Sequence, residues 1–526
     1  MPPLSCRLSV MACAVLAVLA ATASAAAPPP LGTYEQPNPA TPANVIDQAV
    51  LPRLRELSIK PANPCSDAVF IRRVYVDVIG GIPTGQEVKE FLSDPSPQKR
   101  VKLIDRLLER EEFADYWAMK WADTLRIKAE FPINLWPNAA QAYHHWIRTC
   151  ISQNKPYDWL VRQMLTSSGS NFRVPPVNFY RAAQTRDASG LASAVALGFM
   201  ATRTDKWPKE RLEGMAAFFA RVSYKSSLEW KEEIVLLDLT KPGPETGTFP
   251  DGQTVKFPAD QDPREIFADW LISPKNPWFT RAVANRMWWW LLGRGIVHEP
   301  DDIRDDNLPS NPALLAVLEK SLVESRYDLK QLMRLILNSQ TYQLSSVPRS
   351  TDPAAAANFA SYPLRRLEAE VLIDALCQIT GTTEKYSSII PEPFTFIPEA
   401  QRTISLADGS ITSPFLELFG RPARDTGQEM ERNNRLSPAQ RLHLLNSTHV
   451  QKKLEQGRAL QGLIQSKGTT RETTTELYLS ILARYPTEDE LKVAEAYVQS
   501  PNVKGREGLL DLAWALINGA EFLCRH

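Results

Sequence analysis

The residues best suited to recognising a ligand lie in one short stretch, residues 420–427, which reads GRPARDTG. Arg421 and Arg424 present planar guanidinium groups that bind carboxylate, sulfate or phosphate oxygens in pairs. Acidic residues, among them Asp408 and Glu417, lie close by in the sequence. The stretch therefore predicts either an anion-recognition site or an internal salt-bridge network that holds an irregular segment against its neighbours.

A polar helix face follows this stretch. Gln440, His443 and Asn446 recur at a spacing of three and so share one side of a helix. They are expected either to line the same region as the arginines or to cap buried backbone groups. The candidate ligand-binding residues from both observations are Arg421, Arg424, Asp425, Glu431, Arg432, His443 and Asn446.

Motifs for established catalytic or metal chemistry are missing from the sequence. It contains no HExxH, no paired CxxC, no GxSxG and no phosphate-binding loop ending in GK[ST]. Adjacent His144 and His145 point about 100° apart on a helix, and His443 and His449, six residues apart, are expected to face different sides. The sequence therefore predicts no metal and no cofactor. Paired carboxylates for glycoside hydrolysis stay open, because they need only be close in space.

Three consecutive tryptophans at positions 288–290 form the most aromatic point of the chain. Successive helix residues turn by about 100°, so the three rings cover much of the helix circumference. The pattern is typical of a helix buried on most sides. In the alternative, one ring stays exposed as a stacking platform for a sugar or a protein partner.

The first 25 residues have the pattern of a signal peptide. Arg7 precedes the nearly continuous apolar stretch 8–20, and residues 23–25 read ASA, a small-residue cleavage site. Residues 26–42 then form an N-terminal tail of the mature protein. No later segment is apolar enough to span a bilayer, so a periplasmic or secreted protein without a transmembrane segment is expected.

The charge balance argues against nucleic-acid binding, and the cysteines raise the question of disulfides. Sixty lysines and arginines balance sixty aspartates and glutamates, so there is no overall basic field of the kind that nucleic-acid binding needs. Without the leader, the remaining cysteines are Cys65, Cys150, Cys377 and Cys524. Export permits disulfides, but scattered cysteines at apolar helix positions are also typical core residues, and their pairing stays open.

Apolar periodicity predicts a mainly α-helical protein. Ile104, Leu107 and Leu108 recur at three-to-four spacing with charged residues between them, as in an amphipathic helix. Such patterns predict two consecutive helical domains, the first over residues 43–225 and the second over residues 263–526.

Two non-helical regions interrupt the helical pattern. Residues 226–262 are predicted to be a connector with a small hairpin, because the β-type runs 234–239 and 254–257 flank proline–glycine turns. Residues 387–435 are proline-rich and aperiodic, and they predict a long irregular but ordered segment in the second domain. Thr487 is predicted to cap a later helix.

Stretches spread over the mature chain resemble a known pair of domain families. The earlier stretches are 71–84 (IRRVYVDVIGGIPT), 103–108 (LIDRLL), 117–124 (WAMKWADT) and 154–159 (NKPYDW). They resemble the planctomycete cytochrome-C-associated domain of unknown function, the DUF1549 type. The later stretches are 276–279 (NPWF), 284–288 (ANRMW), 292–297 (LGRGIV), 301–302 (DD), 338–342 (NSQTY), 365–370 (RRLEAE) and 444–446 (LLN). They resemble its habitual partner, the DUF1553 type. The resemblance implies a secreted or periplasmic bacterial protein and no particular reaction.

The chain departs from this family where many members attach haem. Those members carry CxxCH shortly before a tryptophan and an AAFF sequence. Here residues 199–207 read FMATRTDKW and residues 216–219 read AAFF, so the surroundings match and the cysteines and histidine do not. A CxC that often precedes a Glu–Arg pair is also missing, since residues 428–432 read QEMER. A non-haem member of the family is therefore expected.

The residues and the resemblance together predict an exported binding or assembly component. It would recognise a glycan or a protein outside the cytoplasm. The alternative is a hydrolase of anionic polysaccharide in which Arg421 and Arg424 hold a sulfate or carboxylate group. A deep cleft with two convergent carboxylates would favour the enzyme, and a shallow face would favour the binding protein.

Overall fold

A computed structural model describes residues 31–503 and 506–526, so the predicted leader and the start of the tail lie outside the described residues. The protein is mainly α-helical, as predicted. The α-helices of the first half are Leu31–Tyr34, Val45–Glu56, Asp67–Ile79, Gly85–Ser93, Lys99–Leu108, Glu111–Thr124, Pro137–Ser152, Tyr157–Thr166, Asn178–Arg181, Ala188–Met200 and Lys209–Ala216. Those of the second half are Pro263–Leu271, Phe279–Leu292, Pro312–Glu324, Leu329–Leu337, Ala354–Ala357, Ala369–Thr380, Pro414–Leu418, Pro438–Asn446, Thr448–Gln456, Arg458–Ile464, Thr470–Leu482, Glu488–Val498, Arg506–Asn518 and Ala520–Leu523. No helix in the described ranges has the length and apolarity that crossing a bilayer requires.

Side-chain capping fixes where several helices start. Thr487 accepts a hydrogen bond from the backbone of Glu490, whose carboxylate in turn accepts one from the Thr487 backbone. This capping box confirms Thr487 as a helix cap. At the other end of a helix, Gly80 has φ 57° and ends Asp67–Ile79. A β-carbon there would lie 2.4 Å from the Tyr116 ring, so only glycine fits.

A small hairpin lies within residues 226–262, but the two predicted β-type runs do not pair with each other. Strand Glu233–Leu237 lies between Val222–Ser226 and Gly169–Ser170, antiparallel to both. The second predicted run forms Thr254–Lys256, which pairs with Thr246–Thr248. The two runs therefore belong to different sheets. A third sheet joins Arg365–Arg366 to Cys524–Arg525.

The segment 387–435 contains only short helical turns and Pro414–Leu418, yet it packs on the helices around it. Phe415 and Phe419 stack with their ring centroids 4.2 Å apart and are both buried. Phe394 and Phe396 are instead exposed. Part of the segment is thus buried, while other aromatic residues of it face the surface.

One continuous cluster of buried hydrophobic side chains includes residues from both halves, from Ile46 to Cys524. Helix Pro312–Glu324 packs on helix Val45–Glu56. Arg72 donates to the carbonyl oxygens of Ile481 and Phe522 at 2.9 and 2.7 Å. The two halves of the sequence therefore share a core and buried polar contacts.

Candidate functional site

The two arginine side chains of the predicted stretch lie inside the protein. Arg424 is 0% exposed, and its Nε donates to Asp123 at 2.9 Å. The Asp123 side chain comes from helix Glu111–Thr124, roughly 300 residues earlier. Arg432 also donates to Asp123, at 2.6 Å. We call Asp123, Glu370, Arg421, Arg424 and Arg432 the Asp123 cluster.

Glu370 completes the Asp123 cluster. Arg432 donates to both of its carboxylate oxygens, at 2.6 and 2.9 Å, a bidentate pair. Arg421 lies 3.5 Å from the same carboxylate and donates to the Ile411 carbonyl oxygen. Both Arg421 and Arg424 are thus enclosed and have internal partners. This geometry is that of an internal salt-bridge network, not of an open anion-recognition site. Both interpretations were possible from the sequence.

The electrostatics of the Asp123 cluster follow from its burial. Burial and the neighbouring charge of Arg424 lower the pKa of Arg421 to about 10. Burial would raise the pKa of Asp123, but Arg432 and Arg424 lower it below its ordinary value. The carboxylate is therefore held ionised by its two guanidinium partners.

The remaining predicted residues lie apart from this cluster. Asp425 is half-buried and accepts a hydrogen bond from Lys128 at 2.6 Å. Glu431 accepts hydrogen bonds from the backbone amides of Asp425 and Thr426. Asn446 is exposed at the end of helix Pro438–Asn446. The contacts of Asp425 and Glu431 stabilise the local backbone conformation. These predicted residues do not converge on a shared cavity.

His443 and His449 meet, which the sequence analysis did not expect. The prediction that they face different sides assumed one continuous helix. Pro438–Asn446 ends at Ser447, which caps a second helix, Thr448–Gln456. This break turns the second helix, so His443 Nε2 lies 3.4 Å from His449 Nδ1.

Glu429 lies in the stretch 428–432 (QEMER). It accepts hydrogen bonds from Trp290 Nε1 at 2.9 Å and Thr124 at 3.4 Å. Burial and the nearby Asp301 carboxylate raise the pKa of Glu429 to about 7. Trp288 and Trp290 are buried, and Trp289 is half-buried beside His298, so the three-tryptophan helix is enclosed on most sides.

A large surface groove, not predicted from the sequence, lies beside the start of helix Lys209–Ala216. Two adjoining cavities of about 950 and 300 Å³ share six lining residues. We call it the tryptophan–arginine groove. Its shared lining residues are Pro208, Arg211, Trp278, Ile303, Arg304 and Asp305.

Loops and helix starts position the walls of this groove. Trp207 precedes helix Lys209–Ala216, which carries Arg211 in its first turn. Asn276 accepts hydrogen bonds from the backbone amides of Trp278 and Phe279, both at 3.0 Å, and so fixes Trp278 at the start of the next helix. The turn of the Thr246–Thr248 hairpin closes one end.

Arg211 lies between two indole rings in the groove. Its guanidinium carbon is 4.3 Å from the Trp207 ring centroid and 5.7 Å from that of Trp278. Its buried Nε has no hydrogen-bond partner among the described residues. Burial lowers the pKa of Arg211, while Asp305 and Asp251 act in the opposite direction. A cation stacked in this way keeps donors available for a ligand.

Among the described residues, only some of the other charged groups of the groove form ion pairs. Asp302 lies 2.9 Å from Arg203 and 3.2 Å from Arg304. Asp251 accepts a hydrogen bond from Trp270 Nε1 at 2.9 Å, and Asp305 is exposed. The groove therefore offers stacking surfaces together with both hydrogen-bond donors and acceptors.

The sequence carried partial signals for the groove. Trp207 lies in the stretch 199–207 (FMATRTDKW), and Trp278 lies in the stretch 276–279 (NPWF). Their positions, some seventy residues apart, gave no indication that both rings would flank one arginine.

Comparison with known proteins agrees with the order of the two halves. A family model described as a protein of unknown function (DUF1549), PSCyt2, matches residues 45–210. A second, described as a protein of unknown function (DUF1553), PSD1, matches residues 263–498. No curated protein and no solved structure gives a significant match. The chain therefore belongs to the proteins in which a DUF1549 domain is followed by a DUF1553 domain.

Proposed function

We propose that this protein is an exported, non-haem binding component that recognises a glycan through the tryptophan–arginine groove. The observation that carries the proposal is Arg211, which stacks between Trp207 and Trp278 and forms no ion pair with a described carboxylate. The groove around it is partly open to solvent.

A glycan fits this combination of groups better than an apolar peptide does. A sugar ring has an apolar C–H face, which packs on an indole, and a rim of hydroxyl groups that donate and accept hydrogen bonds. Arg211 supplies donors, while Asp305 and Asp251 supply acceptors at the same groove. Because acidic and basic side chains are interspersed, the proposal favours a glycan without a high charge density.

The alternative of an anionic-polysaccharide hydrolase relied on Arg421 and Arg424 as accessible anion ligands. Both side chains are enclosed and have internal partners. The present proposal therefore uses neither of them, and it assigns no catalytic carboxylate.

Replacing Trp207 or Arg211 by alanine should weaken glycan binding roughly 10- to 30-fold, since each removes about 1.4–2 kcal/mol of contact energy. A glycan array of neutral and acidic oligosaccharides would identify the ligand, and calorimetric titration with that oligosaccharide would measure the change. Trp230→Ala is the matched control, because Trp230 is an exposed tryptophan outside the groove.

Two results would contradict the glycan proposal. One is an array on which the intact chain binds no oligosaccharide. The other is equal weakening by Trp230→Ala and by the two groove variants. Melting curves of all variants should stay close to that of the parent, because Trp207 and Arg211 are only partly buried.

Export is part of the same proposal and rests on the leader pattern of residues 1–25. The native protein is expected to begin near Ala26 and to be found outside the cytoplasm. Mass spectrometry of the protein purified from its own cells would show the N-terminus. An intact Met1 in a cytosolic fraction would contradict export without bearing on the groove.

A further inference from the structure

The two histidines that meet beside Ser447 have an arrangement that the glycan proposal does not use. His443 Nε2 and His449 Nδ1 are 3.4 Å apart, longer than the usual range of about 2.7–3.2 Å for a hydrogen bond from a nitrogen donor. Both rings pack edge-on against Phe415, at centroid distances of 5.7 and 5.8 Å. The pair is therefore held in place by packing as well as by polar contacts.

The spacing of the two nitrogens matches a shared metal ion. Zinc binds imidazole nitrogen at about 2.0–2.1 Å, usually with tetrahedral geometry. Two such bonds at a tetrahedral angle place the nitrogens about 3.3–3.4 Å apart. The observed 3.4 Å separation equals the nitrogen–nitrogen spacing of a bidentate histidine pair.

Glu384 and Lys453 orient the His449 ring so that Nδ1 can bind a metal ion. His449 Nε2 lies 2.8 Å from Glu384 Oε2, and the same oxygen lies 3.0 Å from the ammonium group of Lys453. Lys453 favours the ionised carboxylate, which accepts the Nε2–H of His449. With Nε2 as the atom that donates to Glu384, Nδ1 is the ring nitrogen of His449 that faces His443. A carboxylate on the outer nitrogen of a metal-binding histidine is the usual orienting partner.

We propose that His443 and His449 form a binding site for a divalent transition-metal cation such as Zn²⁺, with Glu384 as a positioning residue. Within the described ranges no third histidine, cysteine, aspartate or glutamate completes a larger set of ligands. The other coordination positions therefore fall to water or to an exogenous ligand. His449 is about one-third exposed, so the site is open to solvent.

The test is calorimetric titration of Zn²⁺ into the mature full-length chain, without a histidine tag and at neutral pH. One ion per chain is expected, and His443→Ala and His449→Ala should each abolish that step. Glu384→Gln should weaken it about 10- to 100-fold, because the orienting carboxylate is lost. His145→Ala is the matched control, since His145 is exposed elsewhere on the surface.

Co²⁺ gives a second readout, because its visible absorption reports tetrahedral coordination by protein nitrogen. His443→Gln and His449→Gln, which preserve side-chain size, replace any alanine variant whose circular dichroism shows misfolding. Absence of Zn²⁺ binding in the millimolar range would overturn the proposal. So would binding that survives the loss of both histidines or that falls equally in His145→Ala.

Discussion

Replacing Asp123 by alanine is expected to lower the free energy of unfolding by roughly 3–5 kcal/mol, the usual effect of breaking a buried ion pair from one side. Asp123 accepts hydrogen bonds from Arg424 and Arg432, and both arginines stay enclosed when it is removed. Arg432 keeps Glu370, whereas Arg424 keeps only backbone carbonyl oxygens as acceptors. Chemical denaturation followed by circular dichroism would measure the loss.

The matched control is Asp425→Ala, which breaks the more exposed ion pair with Lys128. Pairs near the surface contribute about 0–1 kcal/mol, so this variant should stay close to the parent. If Asp123→Ala and Asp425→Ala lose equal stability, the Asp123 cluster does not hold the segment 387–435 in place.

Replacing Arg525 by alanine should also destabilise the protein, by roughly 3–5 kcal/mol. Arg525 donates to Asp77 at 2.6 Å and lies 3.2 Å from Glu368. Asp77 is 1% exposed and would keep only the hydroxyl groups of Tyr342 and Tyr362 as donors. A carboxylate without a cationic partner at such a depth is costly.

Adding Asp77→Asn to Arg525→Ala distinguishes lost charge pairing from lost packing. If the unpaired Asp77 charge causes most of the damage, the double variant should be more stable than Arg525→Ala alone. A double variant that loses the sum of the two single effects would instead point to packing. Both measurements use the same denaturation experiment as the Asp123 series.

The helical character was predictable because local signals determine it. The three-to-four spacing of Ile104, Leu107 and Leu108 gives a helix, Lys99–Leu108, with all three side chains buried. Thr487 and Glu490 lie within one turn, so a capping box can be inferred from four residues. These features depend on neighbours in the sequence and need no knowledge of the fold.

The sites were harder to predict because they depend on contacts between distant residues. The arginines 421 and 424 meet a carboxylate at position 123, and nothing in residues 420–427 indicates whether such a partner exists. The histidine pair was missed for a local reason, since a helix break at Ser447 reverses the expectation from six-residue spacing. The groove combines two helix starts, a loop and a hairpin turn.

The buried charges also have a consequence for each half of the polypeptide when it is separated from the other. Asp77 and Asp123 belong to the stretch matched by one family model, while Glu370 and Arg424 belong to the stretch matched by the other. Arg525 lies beyond both matched stretches. If the chain were cleaved within residues 226–262, the two fragments would behave as obligate subunits of a heterodimer, because each needs the opposite charges of the other to bury its own. The two halves together, rather than either one, are then the smallest unit in which these buried charges are paired.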